Sequence, residues 1–165
     1  MSSPPAIRVV LAQPPLHAEL VKLRARPDQA DFVSPVAVTL ADSLLCEGSE
    51  PMAILLEDRP IGFYRLEESV RSIAGHDMDY AALGLRSFLI DEAWQGRGLG
   101  RTVMDAVIAD VQARHRDIEA LVLTVNCRNA VALALYLRAG FVDTGELHLG
   151  GRAGPQHLLV RKLRH

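Results

Sequence analysis

A run of alternating glycines, Gln95-Gly96-Arg97-Gly98-Leu99-Gly100-Arg101, stands between an apolar stretch at 83–90 and a long helical pattern. No other feature constrains the chain as much. Alternate glycines let several backbone N–H groups converge with no side chain in the way. A helix that begins directly behind them adds its unpaired first-turn N–H groups and the positive end of its dipole. Leu99, Val103, Val107 and Val111 recur every four residues and place an apolar stripe along that helix. The loop reads as an anion site suited to a pyrophosphate, with Arg97 and Arg101 as candidates to add charge. Two better-known glycine loops are excluded. A dinucleotide fingerprint needs glycine where Arg101 stands, and no Gly-Lys-Ser/Thr ending is present. Taken alone, the glycines also fit a plain strand-to-helix turn.

The flanking segments build a mixed α/β pattern. Strands are expected at 6–11, 52–56, 61–66, 83–90, 121–125, 141–147 and 157–160, with a hairpin turn at 57–60. Helices are expected at 15–24, around Leu40, Leu44 and Leu45, from Leu99 past Val111, and at 130–139 before Gly140. Residues 1–5 read as a loose terminus and 67–80 as a polar connection. With 165 residues the chain is expected to be one domain, and 49% hydrophobic residues exclude disorder for most of it.

The next informative pattern is local. The strand at 121–125 runs into Asn126-Cys127-Arg128-Asn129, and the helix after it reads Asn129-x-x-Ala132-x-x-Leu135-Tyr136-x-x-x-Gly140-Phe141. Together with the Gln-x-x-Gly-x-Gly loop, this pair of motifs resembles the GNAT acetyltransferase superfamily. The resemblance covers 83–141 and agrees with the order of the other elements. It implies a GNAT-like fold: a mixed central sheet of seven strands, two splayed central parallel strands and four main helices.

It also implies an acetyl-CoA-dependent N-acetyltransferase that moves an acetyl group to a primary amine. Acetyl-CoA is then expected in the opening between strands 83–90 and 121–125. Its arm would run along Phe88, Leu89 and Ile90, and its pyrophosphate would lie on Gln95, Gly96, Arg97, Gly98, Leu99, Gly100 and Arg101. Asn129 matches the asparagine that bonds the arm, although Asn is also a favoured helix N-cap. Tyr136 matches the tyrosine beside the thioester sulfur and is the expected catalytic acid. Outside that motif it would read as a core aromatic. Trp94 reads as a packing residue beside the loop, and Asn126 as strand-end polarity.

The acceptor is less legible. Gln29, Phe32 and Val33 resemble a segment of the diamine and spermidine acetyltransferases. A polyamine would seek carboxylates, for which Glu67, Glu68, Asp77, Asp79 and Glu92 are candidates, each equally readable as solvated loop charge. His148 or His157 could act as base near neutral pH, as could a water chain. The competing readings are a peptide N-terminal or lysine acetyltransferase and an acyl-CoA-binding module without catalysis.

A net charge of −2 and 5% aromatic residues disfavour nucleic acid as a partner. No metal is expected, because the six histidines lack ligand spacing. No apolar run is long enough for a membrane span, and the N-terminus lacks the pattern of a secretory signal. Cys46 and Cys127 are expected to be buried, reduced thiols of a cytoplasmic protein. Leu158, Leu159 and Val160 form an apolar run that serves either the core or a homodimer.

Overall fold

The computed structural model describes residues 6–163; the expected loose terminus at 1–5 lies outside them. The strands are β1 (Ile7–Leu11), β2 (Ser49–Leu56), β3 (Arg59–Glu67), β4 (Ala82–Ile90), β5 (Ala120–Asn126), β6 (Val142–His148) and β7 (Gln156–Lys162). The helices are α1 (Pro14–Leu20), α2 (Val36–Leu45), α3 (Arg71–Ala74), α4 (Gly100–Arg114) and α5 (Ala130–Arg138). The seven strands form one sheet in the order β1-β2-β3-β4-β5-β7-β6. Only the central β4–β5 pair is parallel, joined by the crossover helix α4. The expected fold class is therefore the observed one.

The two faces of the sheet carry different helices. Val103, Met104 and Val107 of α4 and Tyr136 of α5 join one core with Leu121, Leu123 and Leu159. Leu20 of α1 and Val36 and Leu40 of α2 pack on the other face against Phe63 and Leu89. Beside them, Ala74 of α3 packs with Ala120, Val122 and Leu158. Covered on both faces, β5 reads ALVLTVN, a nearly unbroken apolar run rather than an alternating one.

Several expectations shift. In α2 the buried positions are Val36, Thr39, Leu40 and Ser43, while Leu44 and Leu45, in its last turn, are exposed. Helix α1 stops at Leu20, short of the expected 24. The polar connection after β3 contains the short helix α3. Cys46 and Cys127 are exposed, contrary to expectation. One caps the C-terminus of α2 and the other lies in the turn beyond β5, both past the end of a buried stripe. Leu158, Leu159 and Val160 belong to the core. Among the described residues, no helix is long and apolar enough to cross a membrane.

Candidate active site

The site begins where the central ladder stops. Strand β4 pairs with β5 only at Ala82↔Ala120, Leu83↔Leu121 and Gly84↔Val122. Beyond Gly84 the strands part, and a cleft of about 1090 Å³ opens between residues 85–90 and 123–126. On its other edge β5 remains paired with β7 from Ala120↔Lys162 to Asn126↔Gln156. The opening is thus a local parting of two strands within an otherwise continuous sheet.

Strand β4 is shaped for that gap. Its pairing with β3 passes from Arg65↔Arg86 to Phe63↔Leu89, so β4 carries one extra residue there. Ser87, in this bulge, has φ 57°, a left-handed conformation that costs an L-residue roughly 1–2 kcal/mol. Past the bulge, Asp91 N–H donates to the Ile61 carbonyl across β3. Strand alternation therefore turns the Ile90 N–H the opposite way, toward the opening, and the Phe88 N–H with it. These donors lie where no ladder partner exists. The Ile90 carbonyl on that side accepts from Gln95 Nε2 at 2.7 Å, which ties the glycine loop to the strand end.

The loop itself requires glycine. Gly96 and Gly98 have φ +75° and +74°, and a Cβ at either would meet nothing within 4 Å. Conformation, not space, demands glycine at both positions. Gly100 serves packing instead: a Cβ there would lie 2.9 Å from Leu135 Cδ1, so its absence lets α4 start close against α5. The first helical bond of α4 runs from Val103 N–H to the Leu99 carbonyl. The amides of the preceding turn are thus free to meet an anion.

Of the expected cofactor-binding residues, Phe88, Leu89, Ile90, Gln95, Gly96, Gly98, Leu99, Gly100, Asn129 and Tyr136 line the cleft, but Arg97 and Arg101 do not. Arg97 stacks on the Trp94 ring at 4.6 Å, with Arg59 at 5.5 Å from the same ring. Arg101 pairs with Asp105 at 3.0 Å and donates to the Arg138 carbonyl at 2.7 Å. Trp94 both packs beside the loop and lines the cleft.

Two asparagines close the β5 end. Asn129 Oδ1 caps α5 by accepting from Ala132 N–H, so the capping role is present. Asn126 Oδ1 accepts from Arg128 N–H at 2.8 Å, while its Nδ2, buried at the cleft wall, has no partner. An unpaired buried amide donor is costly unless a ligand meets it. Tyr136 is buried, its ring edge-on to Phe88 at 6.1 Å and to Phe141 at 5.7 Å. Burial pushes its hydroxyl pKa well above the ordinary phenol value, so it keeps its proton at neutral pH.

None of the five carboxylates considered for a polyamine lines the cleft, and neither do His148 or His157. Glu67 is held by Arg65 at 2.9 Å in a buried pair, and Asp77 by Arg71 at 3.1 Å on the surface. His157 pairs with Asp143 at 3.1 Å. The segment around Gln29, Phe32 and Val33 does reach the cleft. Sequence reasoning missed Arg86, Ser87, Arg128 and Arg152, which also line it. Only the polarity of Asn126 after a buried strand hinted at this wall.

The family model of the acetyltransferase (GNAT) family matches residues 18–141. The uncharacterized N-acetyltransferase YbbJ of Bacillus subtilis is 29% identical over 132 residues, 80% of this chain and 82% of the relative. The spermine/spermidine N(1)-acetyltransferase of Bacillus subtilis is 28% identical over 149 residues, 89% of this chain and 92% of the relative. Among solved structures, the AAC(6')-Ib complex with paromomycin and acetyl-CoA superposes with a TM-score of 0.77 at 18% identity, covering 95% of this chain and 93% of the other. Spermidine N-acetyltransferase from Vibrio cholerae, with CoA and spermine, gives a TM-score of 0.70 at 16% identity, covering 94% and 95%. The splayed strands and the glycine loop fit a bound acetyl-CoA, and with the family model matched over most of its length this chain belongs to the acetyltransferase (GNAT) family as an acetyl-CoA-dependent N-acetyltransferase.

Proposed function

We propose that the protein acetylates a primary amine of a small molecule by direct transfer within the cleft between β4 and β5. The observation that carries this reading is the parting of β4 from β5 beside the protonated Tyr136. The named activities of the curated relatives, spermine and spermidine acetylation among them, support an amine acceptor. Acetyl-CoA supplies a thioester-activated acetyl group. In this reading the Gly96, Gly98 and Gly100 backbone and the start of α4 receive the pyrophosphate, and Phe88, Leu89 and Ile90 flank the arm. Asn129 receives the arm from the α5 side while capping its helix.

The acceptor must attack as a neutral amine. For an amine of pKa about 10.4, losing its proton at pH 7 costs about 4–5 kcal/mol. With His148 and His157 away from the cleft, we assign that proton to water in the cleft, helped by desolvation of the ammonium. The C–N bond forms as the C–S bond breaks. Negative charge gathering on the carbonyl oxygen meets the unpaired Phe88 or Ile90 N–H. The departing sulfur takes a proton from the Tyr136 hydroxyl, which regains one through cleft water from the nitrogen as that sheds its second proton to become the amide.

The test is CoA release from acetyl-CoA with a panel of polyamines, amino acids, aminoglycosides and short peptides. Turnover with a small amine, and little with peptides, is the expected result. Peptide-restricted turnover would replace the small acceptor with a protein one. Silence with every amine, while acetyl-CoA still raises Tm, would leave an acyl-CoA-binding module.

A further inference from the structure

The two ends of the cleft open on opposite faces of the sheet. The glycine loop leads into α4, on one face. The segments 29–34, before α2, and 152–156, before β7, border the other end. This second end carries Arg128 and Arg152, with the carboxylate of Asp31 in the 29–34 segment. Across the whole cleft the charged lining residues are Arg86, Arg128, Arg138 and Arg152 against the single carboxylate of Asp31. Arg128 bridges the two segments: it donates to the Ala153 carbonyl at 2.7 Å and its guanidinium lies 5.6 Å from the Phe32 ring centre. Among the described residues, no carboxylate pairs with Arg128, and Arg152 makes no hydrogen bond or ion pair at all. Arg86 is partly balanced, since Asp42, held chiefly by Arg65, also feels its charge. Beside Arg128 stands Asn126, only 6% exposed, with its Nδ2 unpartnered at the cleft wall.

Resting on the acetyl-transfer reading, we propose that the acceptor amine also bears a carboxylate, held by Arg128, Arg152 and the Asn126 amide. A carboxylate offers two oxygens to a guanidinium fork and a further lone pair to the amide donor. It would supply the acceptor that Asn126 Nδ2 lacks and the countercharge that Arg152 lacks. A purely cationic chain such as a polyamine would bring its charges against uncompensated guanidiniums and leave Nδ2 unpaired. The acceptor class is therefore amino-acid-like, in contrast to the polyamines named for the curated relative.

The experiment compares amine pairs that differ by one carboxylate: lysine and cadaverine, ornithine and putrescine, arginine and agmatine. CoA release is followed for wild type, Arg152→Ala and Arg152→Lys. For at least one pair, wild type is expected to favour the carboxylated member in kcat/KM by about tenfold, the size of one charge-assisted hydrogen bond. Arg152→Ala should erase most of that preference by raising the acceptor KM, leaving the acetyl-CoA KM unchanged, and Arg152→Lys should restore part of it. Because Arg152 is exposed and holds no other residue, the variant is expected to fold. Preference for the decarboxylated member in every pair overturns the proposal. So does an Arg152→Ala effect confined to the acetyl-CoA KM, which would give the arginine to the donor's phosphates. Turnover only of amines without a carboxylate sinks the carboxylate and leaves acetyl transfer standing. No CoA release from any amine sinks both.

Discussion

The two edges of β5 behave differently. Against β7 the strand keeps seven register pairs over its whole length. Against β4 it keeps three and then lets go. The same apolar sequence serves both edges, so the difference does not lie in β propensity. It lies in what stands beside the strand. On the closed edge Leu158 and Leu159 of β7 are fully buried partners. On the open edge β4 carries the Ser87 bulge, and its N–H groups are left for a ligand. The sheet gives up ladder bonds at one place and so keeps oriented donors there, already aimed before a ligand arrives.

The sharpest way to separate the edges is to remove one hydroxyl from the open side. Tyr136→Phe should lower kcat by about 10²–10⁴-fold, while thermal unfolding stays close to wild type because the contacts with Phe88 and Phe141 remain. Steady-state kinetics beside calorimetry checks both halves. An unchanged kcat would mean that the sulfur leaves without this proton. Burial holds the Tyr136 pKa high in the folded protein, so its acid role should persist through neutral pH and show no falling limb below about pH 9. Any limb seen near neutrality would belong to the acceptor or its base.

The closed edge should answer in the opposite way. Leu159→Ala removes a side chain with no exposed surface and should cost about 2–5 kcal/mol. That lowers Tm by roughly 5–15 °C, while the acetyl-CoA KM of the folded fraction barely moves. A loss of donor affinity without a loss of stability would break the contrast between the two edges.

Gly98→Ala probes the loop between these extremes. A left-handed φ costs alanine about 1–2 kcal/mol, and relaxing that strain re-aims the amides. The acetyl-CoA KM should rise several-fold with a Tm loss of a few degrees. Titration with acetyl-CoA by calorimetry measures the affinity directly.

The smallest effect lies outside the cleft. His76 hydrogen-bonds the Asp77 carbonyl and pairs with Glu146 at 2.7 Å, and both contacts raise its pKa above the ordinary value. The tie between this loop and β6 is therefore fully present below pH 6.5 and is lost as pH rises through the raised value. Glu146→Gln should bring the His76 titration back toward 6.5 in an NMR pH series, with almost no change in Tm. An unmoved titration would leave the Asp77 carbonyl as the whole cause.

What was legible beforehand had a local cause. The four-residue repeat of Val103, Val107 and Val111 marked α4, and the Asn129 cap and Gly140 bounded α5. The alternating glycines announced their own backbone conformation. Where a segment's surroundings matter, the reading was weaker. Leu40, Leu44 and Leu45 together marked α2, yet Leu44 and Leu45 face solvent, and Cys46 and Cys127 looked buried and are exposed. Arg97 and Arg101 sit in the loop motif, yet neither lines the cleft: Arg97 stacks on Trp94 and Arg101 pairs with Asp105.

By itself the sequence determined the seven strands, the four longer helices, their order and the glycine loop between β4 and α4, though not α3, because each rests on residues within a turn or two of one another. Only the tertiary structure decided the chemistry of the acceptor end. Phe32, Arg86, Arg128 and Arg152 come from four separated segments, and no local period announces that they share one cleft. Of the carboxylates considered for a polyamine, Glu67 is held by Arg65 and Asp77 by Arg71. Charge complementarity belongs to whichever side chains the fold brings together, and that pairing is settled when the loops close over the sheet.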